Sequence, residues 1–207
     1  ASRQAMDGII AHVGGGMRGE FNLRFGQPSK DVCYIIPELF PFTDINQVDE
    51  VSGESGGLLN KMIEQGDVPK IMFTNSSAEY WRGDAALIHT NLHDNSDAKE
   101  HINVRRYHFS GTQHGSGKYP LETVRDADSV RGNLPFNGVN QTPILRGCLS
   151  NMNDWIKGKN TPPPSSHPRH EDGSAIETKN VVQKFSTIPG IKLPDSLLNP
   201  MRLDYGD

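Results

Sequence analysis

The chain has 207 residues, 34% of them hydrophobic, with 21 glycines and 14 prolines; this is long enough for one domain with a sizeable core, but much of it must be loop. A net charge of -4 supplies no basic stripe for a phosphate backbone, which excludes nucleic acid as the expected partner. No apolar run approaches the roughly 20 residues that a membrane-spanning helix needs.

Nothing at the N-terminus has the layout of a signal peptide, but the sequence opens without Met just before a strand, so no compartment is assigned. Cys33 and Cys148 permit at most one disulfide and match no metal spacing. Cys148 falls on an apolar helix face and reads as a core residue.

In chain order, Asp7-Gly-Ile-Ile-Ala-His-Val13 is an apolar strand followed by Gly14, Gly15 and Gly16. Those glycines lack the G-x-G-x-x-G spacing and the following helix of a dinucleotide site. Residues 17–56 read as an excursion over the sheet edge, of the kind that often covers a substrate pocket. Leu58, Leu59, Met62 and Ile63 recur at helical spacing, with Gly66 as the stop. A strand over Pro69 to Thr74 then ends in a polar turn that carries Glu79. A short helix is expected over Asp84 to His89 with Ala85, Ala86, Leu87 and Ile88 buried, and a polar loop runs from Thr90 to Glu100. The strand that starts at Val104 leads directly into the Gly-flanked His114. Tyr119 to Asn140 has no period and reads as loop.

The clearest helix follows. Thr142 suits its cap, Pro143 its first turn, and Ile144, Leu145, Cys148, Leu149, Met152, Trp155 and Ile156 form one stripe before Gly158. Thr161 to Pro168 is a polyproline-like connection, and beyond His170 only short strand-like fragments such as Asn180 to Phe185 are expected. The predicted organisation is a catalytic half-domain over 1–160 and a Pro-rich, loop-rich tail of the same domain over 161–207. Strands alternating with helices, without a hairpin signal, mean a parallel sheet of α/β class.

The chemistry follows from two loops. A neutral imidazole can take a proton from a serine hydroxyl and return it to the leaving group when its other nitrogen donates to a carboxylate. Glu79 and His114 both follow strands, and the 35-residue gap from one to the other accommodates one helix and one strand, so both loops can lie on one sheet edge. Strand, acid, strand, histidine is the second half of a serine-hydrolase triad in the order nucleophile, acid, base. The plainer alternative is a loop histidine with Glu79 capping the next helix. Gly53-Glu-Ser-Gly-Gly57 matches G-x-S-x-G, but the residues before it are acidic and polar where an elbow needs a buried strand. Ser55 is therefore read as a turn residue or a cap for the helix at Leu58.

His89 and His93 are four apart, as metal ligands on a helix would be, yet Asn91, Asp94 and Asn95 favour a turn between and after them. His167, His170, Glu171 and Asp172 form a second polar cluster in a Pro-rich loop, read as solvated. His12, inside an apolar strand, reads as a hydrogen-bonded core residue or one that supports the site from behind. Arg18 and Arg82 could bind a substrate carboxylate, with ion pairs to Glu20 and Asp84 as the preferred reading.

Four blocks, Asp7 to Val13, Arg18-Gly-Glu-Phe-Asn-Leu-Arg-Phe-Gly-Gln-Pro-Ser29, Phe73-Thr-Asn-Ser-Ser-Ala-Glu-Tyr-Trp-Arg82 and Gly111-Thr-Gln-His-Gly115, together resemble a group of bacterial alpha/beta-hydrolase domain proteins. The resemblance spans nearly the whole chain. It implies a partial α/β-hydrolase fold: a parallel sheet of the last three strands, flanked by helices, with long loops. It also implies that His114 is the triad histidine and Glu79 the triad acid, and that the serine elbow and oxyanion-hole loop lie upstream of Ala1. On that expectation the chain is an internal piece of a serine hydrolase acting on a small-molecule carboxylic ester, with no cofactor and no metal, and is inactive alone. An unpaired sheet edge would then favour self-association. The rival expectations are a non-catalytic binding or structural module on the same scaffold, and a metal-dependent hydrolase built on His89, His93 or the His167 cluster.

Overall fold

The computed structural model describes residues 5–16, 40–126, 129–197 and 199. Arg18, Glu20, Cys33 and most of the expected excursion lie outside the described residues. The elements are β1 (Gly8–His12), β2 (Gln47–Val48), β3 (Ser55–Gly56), α1 (Asn60–Gln65), β4 (Lys70–Ser76), α2 (Ser77–Trp81), a 3₁₀ turn at Ala85–His89, β5 (Val104–Phe109), β6 (Val124–Arg125), β7 (Val130–Arg131), α3 (Thr142–Ile156) and α4 (Thr178–Ser186). The chain forms two compact units, one of Ala1–Gly14, Met62–Tyr80 and His101–Ser166, the other of Gly15–Lys61, Trp81–Glu100 and His167–Asp207.

The first unit is built on a three-stranded sheet in the order β1-β4-β5, with both pairings parallel. β4 is the central strand and buries Ile71, Met72, Thr74, Asn75 and Ser76, as a parallel strand covered on both faces should. α3 lies against the sheet. Met72, Phe109, Cys148, Met152 and Trp155 form its core, with Ile10, Tyr107 and Leu145 packed around them. Gly8 lets β1 approach this helix closely: a Cβ there would stand 2.7 Å from Ile156 Cδ1 and 2.8 Å from Met152 Sδ.

The outer edge of β5 is covered by the Pro-rich connection. His108 N–H donates to Ser166 O and Ser166 N–H to Arg106 O, each at 2.8 Å. Arg106 N–H donates to Ser165 Oγ at 2.8 Å, so a segment rich in proline masks an edge that would otherwise invite pairing. The outer edge of β1 carries no strand among the described residues.

The second unit contains the β2–β3 ladder, the 3₁₀ turn and α4. Its tail segment is tied to the 90–97 loop: the backbone N–H groups of His170 and Glu171 donate to the two Asp97 carboxylate oxygens at 3.0 and 3.1 Å.

Several expectations are corrected. The stretch read as loop contains a small hairpin, β6 with β7; two-residue strands are too short to show a period. The tail read as strand-like forms α4, because Val181, Val182 and Phe185 share one helical face and Phe185 meets the Trp81 ring edge-on at 5.2 Å. Ser55 is neither cap nor elbow but a residue of β3, paired with Val48 and bonded to Asn46 Nδ2 at 2.6 Å. Thr142 is the first residue of α3 rather than its cap. Along α3, Ile144, Leu149 and Ile156 stand exposed, so only part of the apolar stripe faces the core. The Asp84–His89 segment is a 3₁₀ turn that buries Ala85, Ile88 and His89.

Candidate active site

The parallel pairing of β4 with β5 decides where Glu79 and His114 go. Ser76 and Phe109 are partners at the ends of these strands, so the loops that follow leave from the same edge, where open α/β sheets gather their ligands. Two hydrogen bonds pin those loops together: Ser77 N–H to Thr112 O at 3.2 Å, and Gly111 N–H to Ser77 Oγ at 2.9 Å. Ser77 Oγ also lies 3.2 Å from His108 Nε2, so this hydroxyl staples the two strand ends.

Glu79 sits in the first turn of α2 and is fully buried. Its Oε2 accepts hydrogen bonds from the Ser76 N–H at 2.7 Å and from Ser76 Oγ at 2.6 Å. Ser76 Oγ in turn accepts from Ala78 N–H at 3.2 Å. This is the reciprocal exchange of a capping box, encoded by Ser76-Ser-Ala-Glu79. The other oxygen, Oε1, lies 2.7 Å from His114 Nδ1. One Glu79 oxygen thus caps the helix and the other meets His114.

Burial alone would push the Glu79 carboxyl up, but the hydrogen bonds from His114 and from the Ser76 hydroxyl and N–H hold it below its ordinary value. An ionised carboxylate can only accept, so His114 donates from Nδ1, and the neutral ring carries its lone pair on Nε2. The His114 side chain is 53% exposed against 0% for Glu79. The imidazole can be reached from solvent while the carboxylate cannot.

The loop beyond His114 is folded around it. Gln141 Nε2 donates to His114 O at 3.4 Å, Arg125 Nη1 to Gly115 O at 2.8 Å, Asn137 N–H to Gln113 Oε1 at 2.8 Å, and Asn137 Nδ2 to Gly111 O at 2.7 Å. Ser76, Ser77, Asn137 and Gln141 were not singled out from the sequence. The S-x-x-E spacing of Ser76 and Glu79 was the one signal available for the first.

The remaining candidates fall elsewhere. Arg82 pairs with buried Asp84 at 2.7 Å, and Asp84 also accepts from Gly16 N–H at 3.0 Å; the ion-pair reading of Arg82 is the one observed. His89 closes the 3₁₀ turn and stacks on His167 with centroids 4.2 Å apart, whereas His93 bonds to Glu50. The four-residue spacing thus does not lie on one helical face. Among the described residues no group of three or more His, Cys, Asp or Glu side chains could hold a metal ion. No helix among them is long and apolar enough to cross a membrane. His12, at the end of β1, bonds through Nδ1 to Thr74 Oγ1 at 2.9 Å.

A sequence profile described as an alpha/beta hydrolase domain matches residues 1–195. The chain belongs to the alpha/beta hydrolase domain family. The parallel sheet with α3 on its face is the partial form of that hydrolase fold. No curated protein and no solved structure matched the chain.

Proposed function

We propose that this alpha/beta hydrolase domain supplies the acid and the base of a serine carboxylic-ester hydrolase, with Glu79 orienting His114. The observation that carries the reading is the 2.7 Å contact from a fully buried carboxylate to Nδ1 of a half-exposed imidazole. His114 Nε2 takes the proton of a serine hydroxyl as the oxygen attacks the ester carbonyl. Glu79 stabilises the imidazolium that forms, and the same proton then passes to the departing alkoxide. Water reverses the sequence to release the acid. In this reading the attacking serine is one of the full-length protein and is neither Ser55, which sits in a ladder, nor Ser77, which staples two strand ends. The outer edge of β1, which carries no strand among the described residues, would then pair with another strand. The substrate is a small ester with an apolar part, for which exposed Tyr119, Leu121, Leu134 and Val139 offer a surface on the loop that His114 begins.

The test is covalent labelling of the protein expressed from its full reading frame with a fluorophosphonate, followed by mapping of the labelled residue. A labelled serine, with labelling lost in His114→Ala, is the expected result. Labelling that survives His114→Ala unchanged would remove His114 from the role of base, and absence of both labelling and ester turnover would leave a non-catalytic module.

A further inference from the structure

The parallel order that brings Glu79 and His114 to one sheet edge delivers a third group there. His12 is the last residue of β1 and is paired in register with Thr74. Its Nδ1 is 2.9 Å from Thr74 Oγ1, and Thr74 is fully buried. Its ring packs against Phe109 at 6.2 Å, tilted by 41°. The next residue, Val13, has φ of 52°, in the left-handed region that a β-branched side chain rarely adopts. Val13 N–H donates to Thr74 O at 2.7 Å. One buried threonine thus holds both the His12 ring and the strained turn behind it. Such outliers persist only where the surroundings over-determine them, and they cluster at functional sites.

The geometry points to His12 as a substrate-contacting residue of the same site, its Nε2–H donating a hydrogen bond to an ester oxygen. This rests on the reading of Glu79 and His114 given above. With Nδ1 held by Thr74, Nε2 has no hydrogen-bond partner among the described residues. The Thr74 hydroxyl can donate to Nδ1, which places the proton of the neutral ring on Nε2. The surroundings favour that neutral form: burial pushes the His12 imidazole below its ordinary range, Glu79 pulls it up, and His114 pushes it down again. A neutral donor is what the site needs, because a second cation would oppose the imidazolium that forms on His114.

Asparagine and glutamine separate this role from a structural one. An Asn side chain reproduces the position of Nδ1 and keeps the Thr74 contact, whereas Gln reaches the position of Nε2. In the protein expressed from its full reading frame, kcat/KM for p-nitrophenyl acetate should fall about 10- to 100-fold in His12→Asn, the range for a lost hydrogen bond to a group gaining charge. His12→Gln should recover most of that loss, with the melting temperature of both variants tracked alongside. Wild-type activity in His12→Asn, the reverse order of the two variants, or equal losses in both would overturn the inference and leave the Glu79–His114 pair standing. A wild-type protein that neither turns over the ester nor takes the fluorophosphonate would overturn the underlying reading, and the role of His12 with it.

Discussion

Glu79 divides its two oxygens between a helix cap and an imidazole, and the two tasks respond differently to substitution. Glu79→Gln can still accept from the Ser76 N–H, but its amide cannot stabilise an imidazolium. On the proposed mechanism the variant should lose roughly 10³- to 10⁴-fold in ester turnover, measured with the full-length protein at saturating substrate. The same residue shapes acid stability. Its folded carboxyl titrates below its ordinary value, so the unfolded chain binds the proton first on acidification. Its contribution is therefore present above about pH 4.3, the unfolded value, and is lost as the pH falls through the lower folded one. Urea midpoints recorded from neutral pH downward should drop more steeply for the wild type than for Glu79→Gln; parallel curves would contradict the assignment. His12 acts in a higher window. Its imidazole is held below the ordinary range, so stability should decline as pH falls below about 6.5, and His12→Gln should flatten that decline.

At the scale of elements, α3 shows how far a pattern can be trusted. Cys148, Met152 and Trp155 face the sheet, as their spacing requires, while Leu149 points away and is 62% exposed. Met152→Ala should cost about 2–5 kcal/mol, whereas Leu149→Ala should stay within about 0.5 kcal/mol, both read from chemical denaturation. Similar costs at the two positions would mean that the helix is rotated from the face described. α4 carries the opposite lesson. Asn180 to Phe185 reads as strand-like in sequence, yet the helix places Val181, Val182 and Phe185 on one side, and Phe185 reaches Trp81. Tertiary contact overrode local preference.

At the scale of the molecule, the two edges of the sheet differ. Ser165 and Ser166 occupy the β5 edge, while β1 has no outer strand among the described residues. On the proposed reading the 207 residues by themselves associate through β1, because a strand edge without a partner is a template for pairing. Sedimentation velocity over a dilution series should show concentration-dependent species, and a single monomeric boundary throughout would refute it.

Short strand-like runs bounded by turn residues were sufficient to locate β1, β4 and β5, although β5 carries Arg105, Arg106 and His108 and β4 buries Thr74, Asn75 and Ser76. Their parallel direction follows from the alternation with helices, because parallel neighbours need a crossover, whereas the order β1-β4-β5 is a property of the tertiary structure. The spacing of Glu79 and His114 then placed both residues past strand ends on one edge. Local chemistry could not supply the contacts that join distant segments. The division of the Glu79 oxygens, the stacking of His89 on His167 and the fold of α4 against Trp81 each depend on a partner remote in sequence. The left-handed turn at Val13 was equally hidden, because no local preference favours it and the bond to Thr74 that accompanies it joins segments remote in sequence. Such contacts exist only where the fold brings remote segments together, so they belong to packing rather than to pattern.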